Sequence, residues 1–155
     1  MNIDYSIEKC SYGFGIFTNT FIPRGTCIWF YKLNSNVIEF DENNTLKYLD
    51  TLSKNQAIEF LDMSYGRNDK LCLILDDGKY MNHMNKPYNN CKSDPITGHT
   101  YAIRDIYTYE QLYEDYSDFD HPYFLNYLLT KYNCKPDYYE LGDCVSTQNL
   151  KQAVL

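Results

Sequence analysis

The hydrophobic pattern of the chain changes its period along the sequence, and the first stretch has the pattern of β-structure. Apolar and aromatic runs, Gly13-Phe14-Gly15-Ile16-Phe17 and Thr26-Cys27-Ile28-Trp29-Phe30-Tyr31, lie on either side of the turn Pro23-Arg24-Gly25. Such runs favour strands, and Pro-x-Gly between them is a good turn signal. The chain up to about residue 40 is therefore predicted to form strands.

From Asn44 the apolar residues follow a helical period instead. Leucines and isoleucines recur at helical spacings as far as Met63, and Asn44 or Thr45 could cap the first turn. We expect one or two helices here, as a helical insertion at about 44–65 that ends before Gly66.

Two further strands and a terminal helix follow the insertion. Residues 71–75 are fully apolar, residues 82–90 are irregular and rich in Asn, and residues 99–103 favour a strand. Asp120 is expected to cap a helix at 122–132 whose apolar stripe packs on the domain. This predicts one domain at 1–120 and a helical extension at 121–155.

Composition excludes several classes of protein. The 155 residues are 44% hydrophobic and 17% aromatic, too apolar for intrinsic disorder. A net charge of −7 disfavours direct nucleic-acid binding and suits a basic protein partner. The sequence contains no C-x-x-C pair, no signal peptide and no long apolar run, so we expect no metal site, no membrane contact and an intracellular location, nuclear or cytoplasmic.

Three separated motifs contain the residues that could perform chemistry. They are Tyr12-Gly13-Phe14-Gly15-Ile16-Phe17, then Lys79-Tyr80-Met81-Asn82-His83-Met84-Asn85-Lys86-Pro87, then Ala102-Ile103-Arg104-Asp105-Ile106-Tyr107-Thr108-Tyr109-Glu110-Gln111-Leu112-Tyr113-Glu114-Asp115-Tyr116. Taken alone, each motif is weak: a tight turn, a structural histidine, and one tyrosine among 17. Their functional interpretations are a glycine backbone that a ligand can approach and polar groups that a ligand can bind.

Together and in this order the motifs resemble those of a SET domain, over about residues 8–120. The resemblance implies a mainly β fold with α-helices (α+β), made of several small β-sheets with a pseudoknot, a helical insertion and a C-terminal helix. It also implies a protein-lysine methyltransferase that uses S-adenosylmethionine and acts on a basic protein or peptide, such as a histone tail.

The resemblance further assigns roles to individual residues. Tyr116 is expected to be catalytic and to contact the cofactor. The other cofactor-binding residues are expected to be Phe14, Gly15, Asn82 and His83. The substrate channel is expected to include Tyr80, Glu114 and Phe119, although the core is favoured for Tyr80, Tyr109 and Tyr113.

Several residues depart from the family pattern. Met84-Asn85 replaces Ser-Cys, Tyr88 replaces an Asn, Tyr109 replaces a Gly, and Gln111 replaces a Glu. Glu114 stands where Phe or Tyr is common, and it could accept a hydrogen bond from the substrate amine or point to solvent. The zinc-binding cysteines that follow many SET domains are absent, so Phe119 and Tyr123 are expected to close the site.

Other interpretations stay open at this point. Met84, Tyr88 and Glu114 are compatible with a SET-fold binding module that has lost catalysis and recognises a protein partner. A hydrolase with a Cys nucleophile and His83, His99 or His121 has no supporting local signature. The substrate could be captured by six carboxylates that lie between Asp105 and Thr130 with no Lys or Arg, or these could form an ordinary solvated surface: Asp105, Glu110, Glu114, Asp115, Asp118 and Asp120.

Overall fold

The computed structural model of the protein describes residues 1–11 and 13–134. Its strands are β1 (Tyr5–Cys10), β2 (Gly13–Thr18), β3 (Cys27–Trp29), β4 (Val37–Phe40), β5 (Ser64–Arg67), β6 (Lys70–Ile74), β7 (Asn82–His83), β8 (Cys91–Ser93), β9 (Thr100–Ala102) and β10 (Tyr113–Glu114). The helices are α1 (Glu42–Leu49), α2 (Lys54–Met63) and α3 (Leu125–Tyr132), and 3₁₀ turns span Asp77–Tyr80 and Tyr116–Asp118. The predicted extension is described only as far as Cys134, and its remainder lies outside the described residues.

The strands form four small sheets in the described residues, with the orders β1-β2, β10-β7, β3-β9-β8 and β4-β6-β5. This confirms the predicted α+β fold with several small sheets. The pair β7–β10 is parallel, and it joins two segments that lie far apart in the sequence. Its position decides where the candidate site forms.

The segment that leads into β10 bonds first to β2 and then to β7. Leu112 N donates to Ile16 O at 2.8 Å, and two residues later Glu114 O accepts from Met84 N at 2.9 Å. The third motif therefore contacts both the first motif and the second.

Both helices of the insertion have side-chain caps. Asp41, rather than the expected Asn44 or Thr45, caps α1 by accepting a hydrogen bond from Asn44 N. Ser53 and Gln56 form a capping box at the start of α2. α1 therefore begins slightly before the predicted boundary.

Helix α3 starts later than predicted. Phe124 occupies its N-cap position without a side-chain cap, so the expected cap by Asp120 is wrong. The Asp120 carboxylate instead accepts from Asn68 N at 2.6 Å. A Cβ on Gly66 would lie 1.9 Å from Asp120 O, so this crossing of two chain segments requires glycine.

Two main cores hold these elements in place. The stripe of α3 packs with α1, α2 and β6 in a helical core made of Leu49, Ala57, Phe60, Leu61, Leu71, Phe124, Leu125, Leu128 and Leu129. A second core lies under the motifs and is made of Ile16, Ile22, Ile28, Met81, Cys91, Ala102, Ile106 and Leu112. Of the helices in the described ranges, none has the length and apolar character needed to span a membrane.

Candidate active site

The second and third motifs meet at His83 and Tyr116. Pairing of β7 with β10 places His83 beside Glu114, and Tyr116 N donates to His83 Nδ1 at 3.0 Å. Since Nδ1 accepts, the ring carries its proton on Nε2, which donates to Asn85 Oδ1 at 2.8 Å. Asn85, which departs from the family pattern, therefore orients the histidine ring.

Tyr116 is fixed at both its backbone and its hydroxyl. Asp115 caps the 3₁₀ turn that starts at Tyr116 by accepting from Ser117 N at 3.0 Å. The Tyr116 hydroxyl donates to Met81 O at 2.6 Å, and the ring lies 5.1 Å from the His83 ring. The phenol is therefore held against the second motif, as the sequence predicts.

Asn82 connects the second motif to the first. Its Nδ2 donates to Phe14 O at 2.9 Å, although the two residues are 68 positions apart. Asn82 is almost fully buried, whereas Phe14 is 43% exposed. The Phe14 ring lies 6.3 Å from the ring of Tyr80 in an edge-on arrangement, so aromatic residues of the first two motifs meet.

Gly15 lies against two side-chain amides. A Cβ at this position would lie 2.2 Å from Gln111 Nε2 and 2.9 Å from Asn82 Nδ2. These two amides leave no room for a Cβ at residue 15, and the predicted backbone contact of Gly15 with a cofactor stays a prediction. Gln111 Oε1 also accepts from the Tyr113 hydroxyl at 2.8 Å, so the amide is held in this position.

Glu114 is buried and does not point to solvent. Its Oε1 accepts from Ser93 Oγ at 2.8 Å and lies 3.5 Å from Thr100 Oγ1. Desolvation raises the pKa of Glu114 to about 7, against the opposing effect of these hydroxyl hydrogen bonds. The carboxyl therefore changes its charge near neutral pH.

Three aromatic rings pack in a row, from Tyr116 through Phe119 to Tyr65, and Tyr65 lies outside the three sequence motifs. The Phe119 ring lies 5.6 Å from the Tyr116 ring and 4.9 Å from the Tyr65 ring. Tyr65 belongs to β5, far from the three motifs. No motif signal could have identified it, because only the contact of β5 with the 3₁₀ turn brings it here.

Four further tyrosines of the described residues are either partly buried or exposed. Tyr80 and Tyr113 are partly buried, as favoured from the sequence. Tyr109 is 76% exposed, so its expected place in the core is wrong. Its φ of 68° explains the glycine of the family pattern, since this left-handed region is costly for a residue with a Cβ. Tyr123 is exposed, and its hydroxyl donates to Glu42 on α1.

The six carboxylates of the third motif and its tail do not form one continuous acidic face. Asp105 accepts from Arg24 N, Glu110 pairs with Arg104, and Glu114 is buried. Asp118 lies 2.5 Å from Lys86 Nζ and 3.5 Å from Lys92 Nζ. Hydrogen bonds from Ser117 and Lys86 outweigh desolvation and lower the pKa of Asp115. Among the six, the described ion pairs include Glu110, Asp115 and Asp118.

The contacts of the histidines give no support to a hydrolase. His99 Nδ1 accepts from Tyr31 N at 3.1 Å, and the His121 ring bonds to Asn126. Five cysteines in the described ranges are free thiols, and burial raises the pKa of Cys72 to about 11. No described cluster of His, Cys, Asp or Glu could hold a metal ion.

A cavity of about 240 Å³ lies away from this group. Met1, Phe30, Lys32, Ser35, Asn36 and Asp76 line it, and none of the site residues predicted from the sequence is among them. The substrate channel therefore stays a prediction.

The chain is similar to known proteins in one family model and in solved structures. A family model described as the SET domain matches residues 13–117, and no curated protein matches the chain. One matching solved structure is a Plasmodium falciparum "putative histone methyltransferase", with 16% identity over 73% of this chain and 92% of the other. Its TM-score is 0.47, and a similarity of this size supports no statement about function.

Proposed function

The chain belongs to the SET-domain family, and we propose that it transfers a methyl group from S-adenosylmethionine to a lysine side chain of a protein. The observation that supports this most is the meeting of Asn82 and His83 with Tyr116, through the β7–β10 pair and the bond to His83 Nδ1. A basic protein is the substrate class that the net charge of −7 suits, and histones are the first substrates to test.

The residues around Phe14 and Asn82 fit the proposed cofactor. Asn82 Nδ2 donates to the Phe14 carbonyl and so fixes the backbone that we propose lies along the cofactor. The partly exposed rings of Phe14 and Tyr80 suit the apolar parts of the molecule. S-adenosylmethionine would supply an activated methyl group on a positively charged sulfur. We propose that Phe14, Gly15, Asn82 and His83 hold it, with Gly15 contributing backbone atoms only.

Tyr116 is proposed to position the lysine amine for transfer. Its hydroxyl is anchored on Met81 O and its backbone on His83, so little reorientation is needed when substrate binds. Holding two reacting groups in line can supply about 7–11 kcal/mol of the barrier. The lysine must lose a proton first, since its ordinary pKa is about 10.4, and a dry aromatic site favours the neutral amine.

Methyl transfer is tested with labelled S-adenosylmethionine and a panel of histones and basic peptides. Wild-type protein should label a lysine, and Tyr116→Phe should lose turnover while its cofactor affinity stays within about tenfold. Tyr127→Phe, on the exposed face of α3, is the matched control and should keep wild-type activity. Full activity of Tyr116→Phe would show that the role given to this tyrosine is wrong.

A binding module without catalysis is the second candidate, and Tyr88 and Tyr109 favour it. Both replace smaller family residues, and both are strongly exposed, at 72% and 76%. Calorimetry with S-adenosylmethionine separates the two candidates. Absence of binding at millimolar concentration would favour the module.

A further inference from the structure

The carboxamides of Asn82 and Gln111 share one neighbour, the thiol of Cys10. Asn82 Nδ2 donates to Cys10 Sγ at 3.7 Å, and Gln111 Nε2 donates to the same sulfur at 3.6 Å. Asn82 Nδ2 also donates to Phe14 O at 2.9 Å. Both amide residues are buried, at 1% and 9% exposure. Uncharged polar groups thus join the end of β1 to all three sequence motifs.

The orientation of the Gln111 amide is fixed by its hydrogen bonds. The Tyr113 hydroxyl donates to Oε1 at 2.8 Å, so the oxygen end of the amide faces Tyr113 and the nitrogen end faces Cys10. The Gln111 carbonyl accepts from Asn90 Nδ2 at 2.8 Å, which holds the backbone as well. The nitrogen end lies against Gly15, where a Cβ would be 2.2 Å from Nε2. The amide therefore has little freedom to turn or to move.

An uncharged amide at residue 111 differs from the carboxylate of the family pattern in what it offers to Asn82. The Gln111 amide points a donor at the sulfur, whereas an ionised glutamate has acceptors only. A hydrogen bond to a carboxylate is roughly twice as strong as one between neutral groups. A carboxylate here would compete with the Phe14 carbonyl for the Asn82 amide. Gln111 avoids that competition.

We propose that Gln111 is a positioning residue of the cofactor site, which holds the Asn82 carboxamide on the Phe14 carbonyl and thereby keeps the backbone at Phe14 and Gly15 in the conformation that binds S-adenosylmethionine. The inference rests on the proposed function for the identity of the cofactor. Binding is strengthened because a group that is already fixed in its bound conformation loses less freedom on association. Gln111 acts through Asn82 and Gly15, and its role requires no contact with the cofactor.

Calorimetry with S-adenosylhomocysteine tests the role of the amide, with each variant compared to wild type at pH 5.5 and at pH 8. Gln111→Ala should weaken binding about tenfold at both pH values, because Asn82 and Gly15 lose their support. In a methyl-transfer assay the same variant should raise KM for S-adenosylmethionine and change kcat by less than about threefold. Gln56→Ala is the control, since it removes half of the capping box of α2 and should lower stability without changing cofactor affinity.

Gln111→Glu provides a conservative variant that a proton can rescue. Residue 111 is buried almost as deeply as Glu114, and burial raises the pKa of a carboxyl group. A protonated glutamic acid has a donor and an acceptor, like the amide, so its affinity at pH 5.5 should lie within about twofold of wild type. At pH 8 the ionised side chain should weaken binding about tenfold. Gln56→Glu, in the exposed capping box of α2, should equal wild type at both pH values.

Other titratable groups around residue 111 are the same in wild type and in Gln111→Glu. They are Cys10 on β1, His83 on β7, Tyr113 and Glu114 on β10, and Glu110 with its partner Arg104, while β2 carries no titratable side chain. The comparison with wild type at each pH therefore isolates the effect of the new carboxyl group.

Tyr113→Phe provides a further test that keeps the amide. It removes only the hydroxyl that holds Gln111 Oε1, so cofactor binding should weaken by a smaller factor, about threefold. In the Gln111→Ala background the same substitution should have no further effect, because the hydroxyl acts through the amide. Wild-type affinity in Tyr113→Phe would reject the inference even if Gln111→Ala does not fold. Independent effects of the two substitutions, or the same affinity ratio for Gln111→Glu at both pH values, would also reject it.

The measurements separate this inference from the proposed function. Methyl transfer by the wild type, together with unchanged cofactor affinity in the Gln111 variants, rejects the role of Gln111 alone. Weaker cofactor binding by these variants, without methyl transfer to any substrate by the wild type, rejects the proposed function alone. Absence of cofactor binding by the wild type at millimolar concentration rejects both.

Discussion

Glu39 and Glu114 are both carboxylates with little exposure, and their surroundings give them opposite properties. Glu39 lies on β4, where Lys70 Nζ approaches Oε2 at 2.6 Å and the Tyr31 hydroxyl donates to Oε1 at 2.6 Å. Arg67 Nη1 completes the group at 3.5 Å. Glu114, on β10, accepts from the hydroxyls of Ser93 and Thr100 and from the Ser93 backbone, and no described ion pair includes it.

The pKa values of the two carboxyls follow from these partners. Desolvation acts to raise both. At Glu39 the hydrogen bonds from Lys70 and Tyr31 and the two cationic charges outweigh desolvation, and its pKa is lowered. At Glu114 desolvation prevails and raises the pKa to about 7. The difference indicates that the Glu39 group stabilises the fold, whereas Glu114 costs stability at neutral pH.

The largest effect on stability is expected from Glu39→Gln. The amide leaves Arg67 and Lys70 without their counter-ion. Because Lys70 is 44% exposed, the cost should be less than for a fully buried pair, about 2–4 kcal/mol of unfolding free energy. Chemical denaturation at pH 7 measures it, with Glu59→Gln as control. Because the pKa of Glu39 is lowered, its contribution is present above its ordinary value of 4.5 and should disappear as pH falls below that value. A cost below that of the control would contradict this interpretation of the group.

Glu114→Gln should raise the unfolding free energy at neutral pH, whereas Glu39→Gln lowers it. A folded-state pKa raised above the unfolded value means that the folded protein holds the proton more tightly, so the wild type loses stability as pH rises from about 4.5 to about 7. A shift of this size corresponds to at most about 3 kcal/mol. The variant should match the wild type at pH 4.5 and exceed it at pH 8. Denaturation curves at both pH values measure the difference in stability. A variant less stable than wild type at pH 8 would show that burial of the Glu114 charge does not destabilise the fold.

Gly15→Ala tests the neutral amides of Gln111 and Asn82 that lie against this glycine. The added Cβ would displace the Gln111 amide, which then loses its bonds to Tyr113 and Cys10, at a cost of about 1–2 kcal/mol. Combining it with Gln111→Ala should recover part of that cost, because the displaced amide is then absent. A double-mutant cycle in denaturant measures the coupling. Strict additivity of the two substitutions would show that the amide does not require the glycine.

Tyr109→Gly should have the smallest effect on stability of these substitutions. Tyr109 is exposed and belongs neither to the group around Glu39 nor to the group around Glu114. Glycine adopts a φ of 68° without the penalty of a Cβ, but it also increases the freedom of the unfolded chain. We expect a net stabilisation of about 0.5 kcal/mol or less. A thermal melt against wild type measures it. A clear destabilisation would instead show that the exposed ring makes a contact that the fold needs.

Much of the fold and part of the site could be predicted from the chain. The strands at 71–75 and 99–103 were found within one residue as β6 and β9, since their apolar patterns bounded by turn residues are strong local signals. The helix caps were missed, because Asp41 and Ser53 had to be chosen among several polar residues of similar propensity. Asp120 could not be excluded as a cap, since its engagement by Asn68 depends on a contact across 52 positions.

The candidate site could likewise be predicted only in part. Asn82, His83 and Tyr116 could be proposed from ordered motifs, and the structure places them together. Tyr65 could not, because nothing in its local sequence distinguishes it from the other tyrosines. The orientation of Glu114 was also open, since a strand residue can face either side until its neighbours are fixed.

The sequence by itself determined which segments would be strands or helices and which three motifs held the polar groups of the site. These are local properties, encoded in side-chain period, turn residues and the order of the motifs. Only the tertiary structure decided that Glu114 would be buried against two hydroxyls, that Gln111 would fill the space beside Gly15, and that Tyr65 would join Tyr116. The reason is physical: burial and pKa depend on which distant residues surround a group, and that depends on how the sheets pack.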